Sequence, residues 1–156
     1  CRDEKERNLT KIFGMLETAF PEPPSSQLFV AIARKLLVSE VQTNRDGNLL
    51  AVENLLALDY ALENGLWNGR VKVFESGTVS VKGTEFDPYP AIAGSLVGYH
   101  LAVNAKVFIG TEVSSWSVDV ARTRYYQGMA ESNYIYLPKG VNQWTFDGMG
   151  PPPFRC

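Results

Sequence analysis

Apolar side chains recur at three- and four-residue steps over residues 9–20. Leu9, Ile12, Phe13, Leu16, Ala19 and Phe20 share a face behind the charged run from Arg2 to Arg7, a spacing that predicts an amphipathic helix. Pro21 ends it, and Pro21, Pro23 and Pro24 make a stiff connector. Ser25 or Ser26 then serves as N-cap of a second helix running to about residue 41. Its inward stripe is Phe29, Ile32, Ala33, Leu36 and Leu37, and Arg34, Lys35 and Glu40 stay in water. Asn44-Arg45-Asp46-Gly47 reads as a turn, with Asp and Gly supplying a side-chain hydrogen bond and a positive φ. A third helix over residues 48–63 is ringed by Leu49, Leu50, Val52, Leu55, Leu56, Leu58, Tyr60 and Leu62. Its charges, Glu53, Asp59 and Glu63, fall within about a third of the circumference at 100° per residue, so it is expected to be the central helix. Asn64-Gly65 supplies a left-handed stop.

From Trp67 onward the period shortens to two, and Val, Tyr, Thr and Phe replace Leu and Ala, which predicts sheet. Residues 71–74 and 78–81 form the clearest hairpin. A three-residue loop with Gly77 in the left-handed region pairs Val73 with Val79 and Val71 with Val81, keeping all four valines on one face. Pro88 and Pro90 interrupt the ladder. Further strands are expected at 94–103, 106–113, 116–126, 134–137 and 143–146, paired antiparallel because the gaps between them are too short for a parallel crossover.

The chain therefore reads as α+β, with an N-terminal three-helix half packed on a C-terminal antiparallel β-sheet. A single domain over residues 1–156 is expected, divided into a helical part (1–66), a sheet (67–147) and a proline-rich tail (148–156). A length of 156 residues suffices to bury roughly two thirds of the unfolded surface around one core. The formal net charge is −2, and the halves are close to neutral: residues 1–66 carry 7 basic and 10 acidic side chains, residues 67–156 carry 8 and 7. Neither is a polybasic module, so nucleic acid is not an expected partner. No apolar run approaches the 18 residues of a membrane span.

Cys1 and Cys156 are the only cysteines. Two alone form no metal site, and the pair suggests a disulfide closing the chain or linking subunits, in an extracytoplasmic or secreted setting. Acylation of Cys1 after removal of a signal is the competing expectation. Asn8-Leu9-Thr10 matches a glycosylation acceptor.

Catalytic chemistry has little to draw on. His100 is the only histidine, which excludes histidine pairs, and in a strand it lies with Gly98 and Ala102 opposite Val97, Tyr99, Leu101 and Val103. No G-x-S-x-G, glycine-rich phosphate loop or cofactor motif is present. Carboxylates are numerous enough for acid–base work: Asp59 and Glu63 are one helical turn apart, and Asp87, Glu112, Asp119 and Glu131 lie in or beside strands. A glycosidase-like pair would need a separation that only the fold can set.

Residues 116–146 concentrate Trp116, Tyr125, Tyr126, Tyr134, Tyr136, Trp144 and Phe146 with Arg122, Arg124 and Lys139, the chemistry that grips amines, sugars, bases or protein anchors. In a strand where Trp116, Val118 and Val120 face inward, Arg122 and Arg124 would follow them into the core. The strand is therefore expected to leave the core near Ala121 and carry residues 122–126 to an exposed rim. Replacing both arginines with Ala would then change stability by less than about 1 kcal/mol. The expected binding set is Arg122, Arg124, Tyr125, Tyr126, Tyr134, Tyr136 and Trp144.

The order Phe74-Glu75-Ser76-Gly77-Thr78, Trp116, Gln127-Gly128-Met129, Tyr134, Asn142 and Trp144 resembles that of the pore-forming actinoporins. In that family a tyrosine cluster holds a choline headgroup, which would implicate Tyr125, Tyr126, Tyr134 and Tyr136. The stretch between Thr78 and Trp116 is shorter than that sandwich needs, and three helices stand where the family has one before its sheet.

The functional expectation is a non-enzymatic extracytoplasmic binding or assembly protein, including a repeating subunit of a filament or shell. Its partner would be itself, as a homo-oligomer, or another protein. The alternatives are a small-ligand or lipid-headgroup binder using the aromatic and arginine surface, which keeps a membrane partner open, and a carboxylate-dependent hydrolase.

Overall fold

A computed structural model describes residues 8–31, 34–43, 49–75, 82–83, 90–111, 114–137 and 139–144. The protein is α+β: helices make up most of the first part of the chain, and a three-stranded sheet lies towards its C-terminal end. The described residues belong to two compact units, 7–98 and 99–144, with the boundary falling inside a helix.

In the first unit, α1 (Leu9–Ala19) is capped by Asn8, whose Oδ1 accepts from the Lys11 amide, and it buries Leu9, Phe13 and Leu16 at the expected helical spacing. The next segment departs from expectation. Residues 27–30 are not the start of a second helix but a strand, β1 (Gln27–Val30), and α2 begins only at Arg34 (Arg34–Thr43). Leu28, Phe29 and Val30 are good strand formers, and they pair in parallel with β2 (Lys72–Glu75), Leu28 opposite Val73 and Phe29 opposite Phe74. The crossover a parallel pair requires is supplied by α2 and α3 (Leu49–Asn64).

Helix α3 packs against α1, α2 and β2 through Ala51, Asn54, Leu58 and Ala61. It is central in contacts but not enclosed, because several leucines expected in the core project outward. Buried Asn54 accepts from the Leu9 amide, which satisfies its side chain and fixes α1 on α3. After α3, Gly65 (φ 72), Trp67 (φ 50), Asn68 (φ 56) and Gly69 (φ 80) all take positive φ in a tight reversal closed by the bridge of Leu66 to Val71. Left-handed backbone costs a bulky residue about 1–3 kcal/mol. Here it is offset by burial of the Trp67 ring and by its Nε1 donating to Phe20 O at 2.6 Å. Val71 and Val73 are buried as expected of an inward face. Their proposed hairpin partners, with Gly77, lie outside the described residues.

Two segments expected to be strands are helices. Residues 94–103 belong to α4 (Pro90–Asn104), and residues 116–126 to α5 (Ser115–Tyr126). Pro90 opens α4 where its missing N–H has no helical partner to lose, so it starts a helix here instead of breaking a sheet. His100 is accordingly an exposed helical residue, whose carbonyl accepts from Asn104 Nδ2 at 2.8 Å. Ser114, expected in a turn, is the N-cap of α5, its Oγ accepting from the Ser117 amide.

These helices change the sheet. β3 (Phe108–Gly110) runs parallel to β4 (Asn133–Leu137), with α5 and a short 3-10 turn at Ala130–Ser132 as the connection. β4 pairs antiparallel with β5 (Gly140–Gln143). The expected all-antiparallel pairing over 67–147 is thus corrected to a mixed sheet in order β3-β4-β5. Its core joins Ala102 and Val103 of α4, Phe108, Val118, Val120 and Ala121 of α5, Ile135 and Trp144, with Tyr99, Trp116 and Leu137 packed against it.

Candidate functional site

The residues singled out by sequence cluster on and around α5, where helical geometry sorts them differently from a strand. At 100° per residue, Ser117, Val118, Val120, Ala121 and Arg124 form the buried face. Ser115, Asp119, Arg122 and Tyr126 then form a ridge on the opposite side, at four-, three- and four-residue steps. Arg122 and Arg124, which a strand would put on the same face, are separated by a helix.

Arg124 does not reach a rim. It is fully buried, and the expectation of an exposed cation there is overturned. Its Nε donates to Asn133 Oδ1 at 2.6 Å, and Nη2 donates to Ser132 Oγ at 2.6 Å. Nη1 faces the carbonyls of Ala102 (3.2 Å), Val103 (2.8 Å) and Ala105 (2.6 Å) at the C-terminal end of α4. All five acceptors are neutral oxygens, and removal from water pushes the guanidinium's pKa down from its ordinary value. The charge is tolerated because the last carbonyls of a helix lack amide partners and carry the negative end of its dipole. The planar fork spans them and β4 at once. Asn133, also buried, donates in turn to Ala121 O at 3.0 Å. Arg124 therefore ties α4, α5, the 3-10 turn and β4 together, a structural role.

The clamp fixes the end of α5, from which two aromatic rings project. Tyr126 is 78% exposed and Tyr125 39%, their centroids 5.6 Å apart and edge-on. One helical turn before Tyr126, Arg122 is half-buried, and its Nε is buried without a hydrogen-bond partner among the described residues. Next on the ridge, Asp119 is exposed and accepts from Tyr99 Oη at 3.0 Å; that hydroxyl also meets Thr123 Oγ1 at 2.7 Å. Tyr99 is braced edge-on against Trp116, centroids 6.3 Å apart.

The rest of the expected binding set lies elsewhere. Tyr134 and Tyr136 are half-buried on β4, and Trp144 is buried in the core. The four tyrosines that an actinoporin-like site would gather are divided between a helix end and a strand. Cys1 and Cys156 lie outside the described residues. Asp119 was considered only as a catalytic carboxylate; the signal for its place on the ridge is the helical spacing of 115, 119, 122 and 126, legible once Ser114 is read as a cap.

Among the described residues, the carboxylates that the sequence offers for acid–base work, Asp59, Glu63, Asp119 and Glu131, are all exposed. Asp87 and Glu112 lie outside the described residues. Asp59 and Glu75 share Arg34, whose Nη2 pairs with Asp59 and whose Nη1 lies 3.3 Å from Glu75 Oε1. The hydrogen bond to Asp59 holds the Arg34 pKa above its ordinary value. Among the described residues no group of three or more His, Cys, Asp or Glu side chains could hold a metal ion, and no helix is long and apolar enough to cross a membrane. No protein-family model, curated protein or solved structure matches this chain.

Proposed function

We propose that this chain is a non-enzymatic binding and assembly protein, acting extracytoplasmically, that associates with further copies of itself through the outward ridge of α5. The observation that carries this reading is the self-complementary order of that ridge, Ser115, Asp119, Arg122 and Tyr126, ending in the most exposed large hydrophobic side chain among the described residues. Two such ridges laid antiparallel about a two-fold axis set Asp119 of each copy against Arg122 of the other, and Tyr126 against the small Ser115. Isologous contact requires a self-complementary patch, and both signs of charge about one centre make this ridge such a patch. Asp119 of the other copy gives the Arg122 guanidinium, half-buried in the single chain, an anionic partner. Tyr126 and Tyr125 supply aromatic area with few rotatable bonds, as interface anchors do, and the Arg124 clamp presents them without an ordering cost at association.

Sedimentation velocity over a concentration series tests it. The wild-type chain is expected to self-associate, and Tyr126→Ala to weaken association about tenfold or more without changing the melting temperature. A wild-type chain that stays monomeric at every concentration defeats the proposal. So does association that the substitution leaves untouched.

A further inference from the structure

A second surface, independent of α5, lies on the outer side of α3. The buried face of that helix is Ala51, Asn54, Leu58 and Ala61. Diametrically opposite, Leu49, Glu53, Leu56, Tyr60 and Glu63 follow one another at steps of four, three, four and three residues. Leu49 is 76% exposed, Leu56 64% and Tyr60 66%, so three large apolar side chains stand in water along about 16 Å of helix. Several exposed apolar side chains along one helix face, with charge between and beyond them, mark a contact surface, whereas isolated exposed leucines do not.

The charge around the row selects its occupant. Residues 49–64 contain three carboxylates, Glu53, Asp59 and Glu63, and no Lys or Arg. Among the described residues, the side chains that meet these carboxylates do not cancel this. Glu53 Oε2 accepts from the neutral Asn8 amide at 2.8 Å, which leaves its charge in place. Arg34 is a single cation shared between Asp59 and Glu75. A second copy of this ridge would add carboxylates to carboxylates with no cation from either helix, whereas the α5 ridge carries both signs. We infer that the outer face of α3 docks a basic amphipathic helix of a different protein, apolar residues on the Leu49, Leu56 and Tyr60 row and Lys or Arg beside Glu53 and Glu63.

The 156-residue chain is titrated against a fluorescently labelled peptide of leucine and lysine patterned as an amphipathic helix, with the same peptide carrying glutamate for lysine as control. The lysine peptide is expected to bind, more weakly as salt is raised, and the glutamate peptide not to bind. The double variant Leu56→Ser/Tyr60→Ser is expected to lose about tenfold or more in affinity. Glu53→Lys/Glu63→Lys should lose a comparable factor while keeping the apolar row. Because these side chains are exposed, an unchanged melting temperature confirms that each variant is folded. Tyr126→Ala should bind the peptide as wild type does, which separates this surface from the α5 assembly. The inference is overturned if both peptides bind alike, if neither double variant weakens the lysine peptide, or if Leu56→Ser/Tyr60→Ser dissolves a dimer that Tyr126→Ala leaves intact. That last result would make a second copy the occupant.

Discussion

Arg124 shows at the scale of one residue how far sequence and environment can diverge. A guanidinium beside two tyrosines suggests recognition chemistry, yet this one holds Ala102, Val103 and Ala105 carbonyls, Ser132 and Asn133. Arg124→Ala leaves several buried acceptors unpaired at about 1–3 kcal/mol each, so it should destabilise by more than about 3 kcal/mol, against the expected loss of less than about 1 kcal/mol for a surface residue. Arg124→Lys should recover only part of this, since one ammonium cannot span the end of α4 and β4 together. Urea unfolding of both variants checks the order, and a loss below about 1 kcal/mol for Ala would remove the clamp from the account. Gly65 is a second residue with no substitute. It combines φ 72 with a position where a Cβ would lie 2.5 Å from Val71 O, a backbone atom that cannot yield without opening the Leu66–Val71 bridge. Gly65→Ala should therefore cost more than the roughly 1 kcal/mol of positive φ alone, measured as a drop in melting temperature.

Among the elements, α5 has an ambiguous sequence signature. Trp116, Val118 and Val120 alternate, which favours a strand, but the buried set of 117, 118, 120, 121 and 124 has the 3.6-residue period. The local feature that settles the matter is Ser114, whose side chain accepts from the Ser117 amide. Ser114→Ala should cost about 1 kcal/mol by removing that cap, while Ser115→Ala, at an exposed helical position, should stay within about 0.5 kcal/mol. Equal effects on thermal unfolding would show that the cap contributes nothing special. Once α5 is a helix, β3 and β4 acquire the crossover that parallel pairing requires, and the antiparallel arrangement expected from short gaps no longer follows. The same correction applies earlier, where α2 and α3 connect β1 to β2. In both places a helix between two strands fixes the direction of their pairing.

For the whole molecule, two surfaces with opposite charge logic imply two kinds of association. The proposed α5 contact would set Asp119 against Arg122 across a two-fold axis, so raising salt should weaken self-association as the pairs are screened. Sedimentation at low and high ionic strength checks this, and salt-independent association would leave the aromatic contact as its sole basis. The cysteines make a separate prediction, motivated only by there being two. Non-reducing electrophoresis of protein from an oxidising compartment should show a compact monomer if Cys1 and Cys156 close the chain, or a ladder if they link subunits. Identical migration before and after reduction would refute both and remove the basis for an extracytoplasmic setting.

The sequence by itself determined α1 and α3, their stops at Pro21 and Gly65, and the strand character around Val73 and residues 134–137. Each rests on information local to the chain: a repeating apolar step, or a residue that cannot continue a helix. Tertiary structure decided what became of α4 and α5, the direction of the strand pairs, and which arginine is buried. An apolar segment rich in Val, Tyr and Ala satisfies both periods nearly equally, so neighbours choose between them. A buried guanidinium is admissible only where acceptors from residues 102–105 and 132–133 converge on it, and no window of sequence contains that convergence.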